Sequence, residues 1–240
     1  VKYSWWNYRF KSRERNVGWR IDYFMISSSL RNNVVNTEIH NEYFNLITTL
    51  SFRDAYNSGV EFMNEQNYPS AESSFVECIN LNPEYDRCYT RLGKVYERQS
   101  RYDEAEEQYL IALYRFPDKY FSYSSLGYLY SRYEQFEESE RYYFEALERI
   151  PESVRSGRIF IFNGLAYVCS KYRTSEGYNR SEQYSSMVLE LDPNNIQALT
   201  NMGYRITYRD IDNGVNYFKK AARLGGRKAQ HWLRRNGYSW

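Results

Sequence analysis

"DRCYTRLGKVYERQSRYDEAEEQYLIALYRFPDK" occupies residues 86–119, and "YFSYSSLGYLYSRYEQFEESERYYFEALERIPES" follows it directly as residues 120–153. Laid one above the other, the two stretches keep step. Tyr89, Leu92, Gly93 and Tyr96 recur as Tyr123, Leu126, Gly127 and Tyr130, an i, i+3, i+4, i+7 pattern that forms one face of an α-helix. After a short polar turn, Ala105, Tyr109 and Ala112 recur as Ser139, Tyr143 and Ala146 on a second helical face. Pro117 and Pro151 then stop that second helix, because proline lacks a donor and clashes with the preceding turn. A helix pair repeated at a fixed period is the mark of a chain that builds its core by stacking copies of one unit.

The period extends in both directions. Residues 52–85 place Gly59 and Pro83 in register, so Gly59, Gly93 and Gly127, like Pro83, Pro117 and Pro151, stand 34 apart. Small residues such as Gly93 and Ala112 read as points where two helix backbones come close. A fourth unit over 157–195 is looser: Gly164 follows Gly127 by 37 residues and Pro193 follows Pro151 by 42. About eight residues are inserted there by that spacing, most of them near "RTSEGYN" (173–179), a loop by composition. A fifth unit over 196–225 keeps Gly203 and Ala222 without a closing proline. Residues 226–240 read as a capping helix and tail, apolar through Ala229, Trp232 and Leu233, basic on the other side and ended by Gly237.

These blocks resemble the tetratricopeptide repeat family over 52–225, and "AARLGGRKAQHWL" is similar to the related Sel1-type repeats. The resemblance implies an all-α, right-handed superhelical solenoid of about five repeats whose first helices line a groove for a partner peptide or protein. Groove positions of the family match Arg53, Tyr56, Arg87, Thr90, Lys94, Phe121 and Tyr128 in the first three blocks. They match Arg158, Ile161, Leu165 and Val168 in the fourth and Tyr204 in the fifth. The Lys, Asn and Arg clamp with which one subtype holds chaperone tails is absent, since Val60 and Lys94 replace its asparagines. Tyr96, Tyr109, Tyr130, Tyr143 and Tyr167 are assigned to packing between helices, and the charge runs of 102–109 and 133–149 to solvated faces.

Composition narrows the function class. The aromatic load, 27 Tyr and 13 Phe in 240 residues, suits repeated packing sites or a contact surface. A net charge of +2 provides no global attraction for nucleic acid or membrane. Cys78, Cys88 and Cys169 form no CxxC pair, so neither a disulfide framework nor a zinc site is expected, and a reducing, cytoplasmic setting fits. His40 and His231 lie far apart without a ligand cluster, so no metal or other cofactor is expected. No apolar run reaches the ~20 residues of a membrane span. The first residue is Val rather than Met, which suggests a piece of a longer reading frame.

The opening segment is different. "YSWWNYRFKSRERNVGWRIDYFMIS" (3–27) mixes Trp and Tyr with six Lys or Arg against one acid in the first twenty residues. Its WWxYR and RNxGWRxDYF signatures resemble the C-terminal part of the exodeoxyribonuclease III family of apurinic/apyrimidinic endonucleases, fading near residue 45. The resemblance implies that 1–46 is a β-rich remnant of an α/β nuclease domain. By the same resemblance Trp5, Trp19 and Ile21 match walls of the abasic-sugar pocket, Arg9 a DNA-contacting loop, and Asp22 the carboxylate that orients the catalytic histidine. Where that histidine is due, the chain reads "NLITTLS" (45–51), so no catalytic residue is assigned. The leading expectation is therefore a non-enzymatic interaction scaffold. The rival is a fragment of a Mg-dependent repair nuclease fused to a repeat module, and a third reading is weak nucleic-acid binding through residues 1–20.

Overall fold

The computed structural model describes residues 37–240, and within them every element is a helix. In order these are α1 (Thr37–Asn64), α2 (Tyr68–Leu81), α3 (Asp86–Arg98), α4 (Tyr102–Arg115), α5 (Tyr120–Arg132) and α6 (Phe136–Arg149). They continue as α7 (Arg155–Lys171), α8 (Ser175–Leu191), α9 (Ile196–Ile206), α10 (Ile211–Arg223) and α11 (Arg227–Arg235). Thr49–Trp240 form one compact unit. The expected β-rich remnant lies outside the described residues over 1–36. From Thr37 the chain is helical, and α1 runs through the expected boundary between 46 and 52.

Each helix packs on the next, and the strongest contacts fall within the pairs α3/α4, α5/α6, α7/α8 and α9/α10. The second helices end where the prolines require: Leu81, Arg115, Arg149 and Leu191 each stand two residues before Pro83, Pro117, Pro151 and Pro193. Inside three of the pairs the turn is a Schellman closure. The amides of Asn67, Arg101 and Gln135 donate to the carbonyls of Phe62, Tyr96 and Tyr130 at 2.8, 2.9 and 3.0 Å. Gln66, Ser100 and Glu134 occupy the left-handed position of that turn, at φ 61°, 60° and 61°. Glycine is the usual residue there, so these turns are held by the surrounding stack rather than by local preference.

The recurring glycines of the repeat each face an aromatic ring of the second helix. A Cβ on Gly93 would fall 2.5 Å from the ring of Tyr109, and one on Gly127 would fall 2.9 Å from that of Tyr143. Both rings are essentially inaccessible. Gly59 stands in the same relation to Phe75, and Gly203 to Phe218. One methyl group at these points would displace a core side chain in an interior packed to crystal-like density. Farther along, Ala229 and Leu233 are buried and Trp232 stacks on Phe218 at 4.2 Å, so α11 packs on the α9/α10 pair.

Two expectations are corrected. The inserted segment of the fourth unit is not a loop: α7 and α8 are each 17 residues long, against 13 in α5 and 14 in α6, so the extra residues lengthen both helices by about a turn. Thr174 caps α8, its hydroxyl accepting from the Gly177 amide at 3.0 Å, and Glu176 suits the first turn. The second correction concerns cysteine. Cys78 at the end of α2 and Cys88 at the start of α3 form a disulfide, with Cα atoms 6.1 Å apart, because stacking brings the end of one unit against the start of the next. Cys169 is a buried free thiol whose pKa burial pushes up to about 11. Thiol titration of the unreduced, denatured protein is expected to find one reactive group per chain; three would contradict the pairing.

Candidate functional site

The first helices of successive pairs also touch one another: α3 meets α5, α5 meets α7, and α7 meets α9. The second helices make no comparable contact with each other among the described residues. In a curved stack the elements that crowd together are on the inner side, so α3, α5, α7 and α9 line the concave face.

The fourth unit has a different register from the one that Gly164 suggests. Ser139 donates to the carbonyl of Gly127 at 2.6 Å, and Ser181 makes the same bond to Ala166 at 2.7 Å, so Ala166 is the structural counterpart of Gly127. Ser131 donates to the Tyr128 carbonyl at 2.6 Å, and Ser170 to that of Tyr167 at 2.6 Å. Arg173, at φ 53°, takes the left-handed position of Glu134. Tyr167 therefore corresponds to Tyr128, Phe160 to Phe121 and Lys171 to Arg132. Ile161, Leu165 and Val168, expected in the groove, are wholly buried against α6 and α8, and Tyr167, expected in the packing, is exposed. "YLYSR" (128–132) and "YVCSK" (167–171) hold the signal that finds this register. The glycine between them misleads, because Gly164 packs on Tyr143 of the preceding unit.

With that register, Tyr128, Tyr167 and Tyr204 form a stripe across α5, α7 and α9, flanked by Phe160. Phe160 is 44% exposed, Tyr167 40% and Tyr204 42%, while Tyr128 is half-buried with its ring 6.2 Å from that of Phe160. Lys94 lies over the Tyr128 ring, 4.3 Å from its centroid, and is ion-paired with Glu97. The other Glu97 oxygen accepts from the buried Tyr109 hydroxyl at 2.8 Å. Burial, and then the Glu97 charge, push the Tyr109 hydroxyl well above the ordinary tyrosine range. Lys94 is thus neutralised from within the protein. Lys171 sits over the Tyr167 ring at 4.8 Å, and Arg132 bonds the hydroxyl of the half-buried Tyr102, holding its pKa below the usual value.

The remaining candidates, Arg158 apart, sit nearer the start of the stack. Arg53 is exposed, 6.0 Å from the ring of Phe52. Tyr56 is half-buried among Phe75 and Tyr85 and accepts from Arg91 at 3.3 Å. Arg87 is exposed above the Phe121 ring at 5.5 Å, and Thr90 bonds its own helix at the Arg87 carbonyl. Arg158 covers Phe162 at 5.4 Å. Trp5, Arg9, Trp19, Ile21 and Asp22 lie outside the described residues. Charge divides between the layers: α3, α5, α7 and α9 carry nine Lys or Arg against Asp86 and Glu97, whereas α4, α6, α8 and α10 carry thirteen acids against seven bases.

Residues 86–119 match the family model for the tetratricopeptide repeat. A 37-residue stretch of the chain is 54% identical to Exodeoxyribonuclease of Bacillus subtilis, and a 39-residue stretch is 44% identical to DNA repair nuclease APEX1 of Danio rerio. The chain spans only 15% and 13% of the length of those two proteins. Among solved structures it is similar to Pseudomonas aeruginosa PilF, with TM-score 0.66 and 16% identity over 73% of this chain and 77% of that one. Yeast Tom70 gives 0.65 and 22% over 83% and 43% of the two chains. YrrB, described as a TPR protein with an unusual peptide-binding site, gives 0.52 and 19% over 75% and 90%. The described chain thus has the fold of a tetratricopeptide-repeat solenoid, and residues 86–119 carry the repeat itself.

Proposed function

We propose that the protein is a non-enzymatic interaction scaffold whose concave face, built from five repeats over 52–225, holds an extended partner peptide. One observation carries this reading: Phe160, Tyr167 and Tyr204 are exposed together on first helices that contain no acidic residue. Large rings left partly uncovered on an inner face each combine contact area with low conformational entropy. The nearby cations Arg132 and Lys171 favour acidic residues in the ligand, with apolar ones beside them to meet the rings. YrrB's described peptide-binding site lends the same use to this fold. A peptide-display screen against residues 1–240 is expected to enrich extended sequences that combine acidic with aromatic or aliphatic residues. Enrichment of basic sequences would overturn the reading.

A further inference from the structure

Away from the concave face, charge is most unevenly placed at the end of the stack. From Asn213 to Trp240 there is no Asp or Glu, while Lys219, Lys220, Arg223, Arg227, Lys228, Arg234 and Arg235 all fall there. Arg227, Lys228, His231, Arg234 and Arg235 are exposed on α11. At about 100° per residue, all five project within an arc of about 120°. Ala229 and Leu233 are buried on the opposite side, with Trp232 half-buried. None of the basic residues of α11 is paired with a carboxylate among the described residues. Arg234 lies 5.8 Å from the ring of Trp240, which is 41% exposed.

A helix that only caps the stack would not be built this way. Arg227 and Lys228 stand in the first turn, where the helix dipole disfavours cations, and Arg227, His231 and Arg235 are spaced i, i+4 with no acid between them. The second helices α4, α6, α8 and α10 all have acids in their first turn. Arg234 and Arg235, in the last turn, are what a plain cap would choose; the first-turn pair is not. A concentrated cationic face that opposes its own helix is explained by an anionic partner.

We infer that the outer face of α11 binds a nucleic-acid strand through its phosphate backbone. Arginine, three of the four permanent cations on this face, presents a planar fork that matches phosphate oxygens two at a time. Trp240, next to Arg234, offers a surface on which a base can stack. A membrane surface fits less well, because a helix that lies on lipid needs a free apolar side, and that of α11 is spent on Phe218 and the core. Phosphate contacts carry no sequence information, so binding is sequence-tolerant and falls with salt.

The test is fluorescence anisotropy of the full chain with a labelled single-stranded oligonucleotide of about 20 nucleotides. Four phosphate contacts predict a loss of about fifty-fold in affinity between 50 and 200 mM salt. The double variant R227E/K228E is decisive, because it removes the two cations the dipole disfavours: its melting temperature stays the same or rises, while binding at 50 mM salt weakens about tenfold and the salt slope becomes shallower. Undetectable binding by the parent chain would overturn the inference. So would equal binding by the variant, which would place the activity on another segment. Competition by polyglutamate as strong as that by unlabelled oligonucleotide would assign the face to an acidic protein instead, and tighter binding to phosphatidylserine vesicles would assign it to a membrane.

Discussion

Replacing Tyr143 with alanine is expected to destabilise the solenoid by about 3–5 kcal/mol, the scale for removing a large buried aromatic and leaving its cavity. Its ring is 1% exposed and lies between two units. It fills the space left by Gly127 on α5, and the missing side chain of Gly164 on α7 lets that helix close over it. Phe160 meets it edge-on at 6.5 Å. One deletion therefore opens the joint between the third and fourth units, and in a stack held by nearest-neighbour contacts that joint decides whether the two ends melt together. Tyr143→Phe keeps the ring and is expected to cost no more than about 1 kcal/mol, the usual net worth of one hydroxyl bond. Urea unfolding followed by circular dichroism checks both. A loss below about 1 kcal/mol for Tyr143→Ala would mean that the ring does not hold the joint.

Much of the fold was legible in the spacing of prolines and small residues, because both answer to hard constraints that leave little choice of residue. Pro83, Pro117 and Pro151 mark helix ends for steric reasons, and Gly93 and Gly127 are small because rings of nearly constant position press on them. The fourth unit failed the same test. There Ala166 takes the tight position and Gly164 serves a neighbour, so aligning on glycine displaced the groove by two residues and placed the buried Ile161 in it. The left-handed turn residues Gln66, Ser100, Glu134 and Arg173 leave no mark in the sequence either, since the stack imposes a conformation they do not prefer. The Cys78–Cys88 bond depends on a contact between units that a ten-residue separation does not reveal.

The second large effect is expected on the concave face. Tyr128→Ala combined with Tyr167→Ala should weaken a screened peptide by about a hundredfold, from 1–2 kcal/mol at each of two neighbouring anchors. The melting temperature should change little, since Tyr167 is exposed and Tyr128 half-buried. Lys94→Ala is expected to affect stability more than binding, because its charge is already held by Glu97, which would be left nearly buried and unpaired. Leu110 and Tyr114, exposed on α4, provide the matching control on the outer layer. The measurement that bears most directly on the scaffold reading is the calorimetric Kd of the best screened peptide for the parent, for Tyr128→Ala/Tyr167→Ala and for Leu110→Ala/Tyr114→Ala. A hundredfold loss in the inner-face variant with an unchanged outer-face variant is predicted. An unchanged inner-face variant together with a loss in the outer-face variant would contradict it.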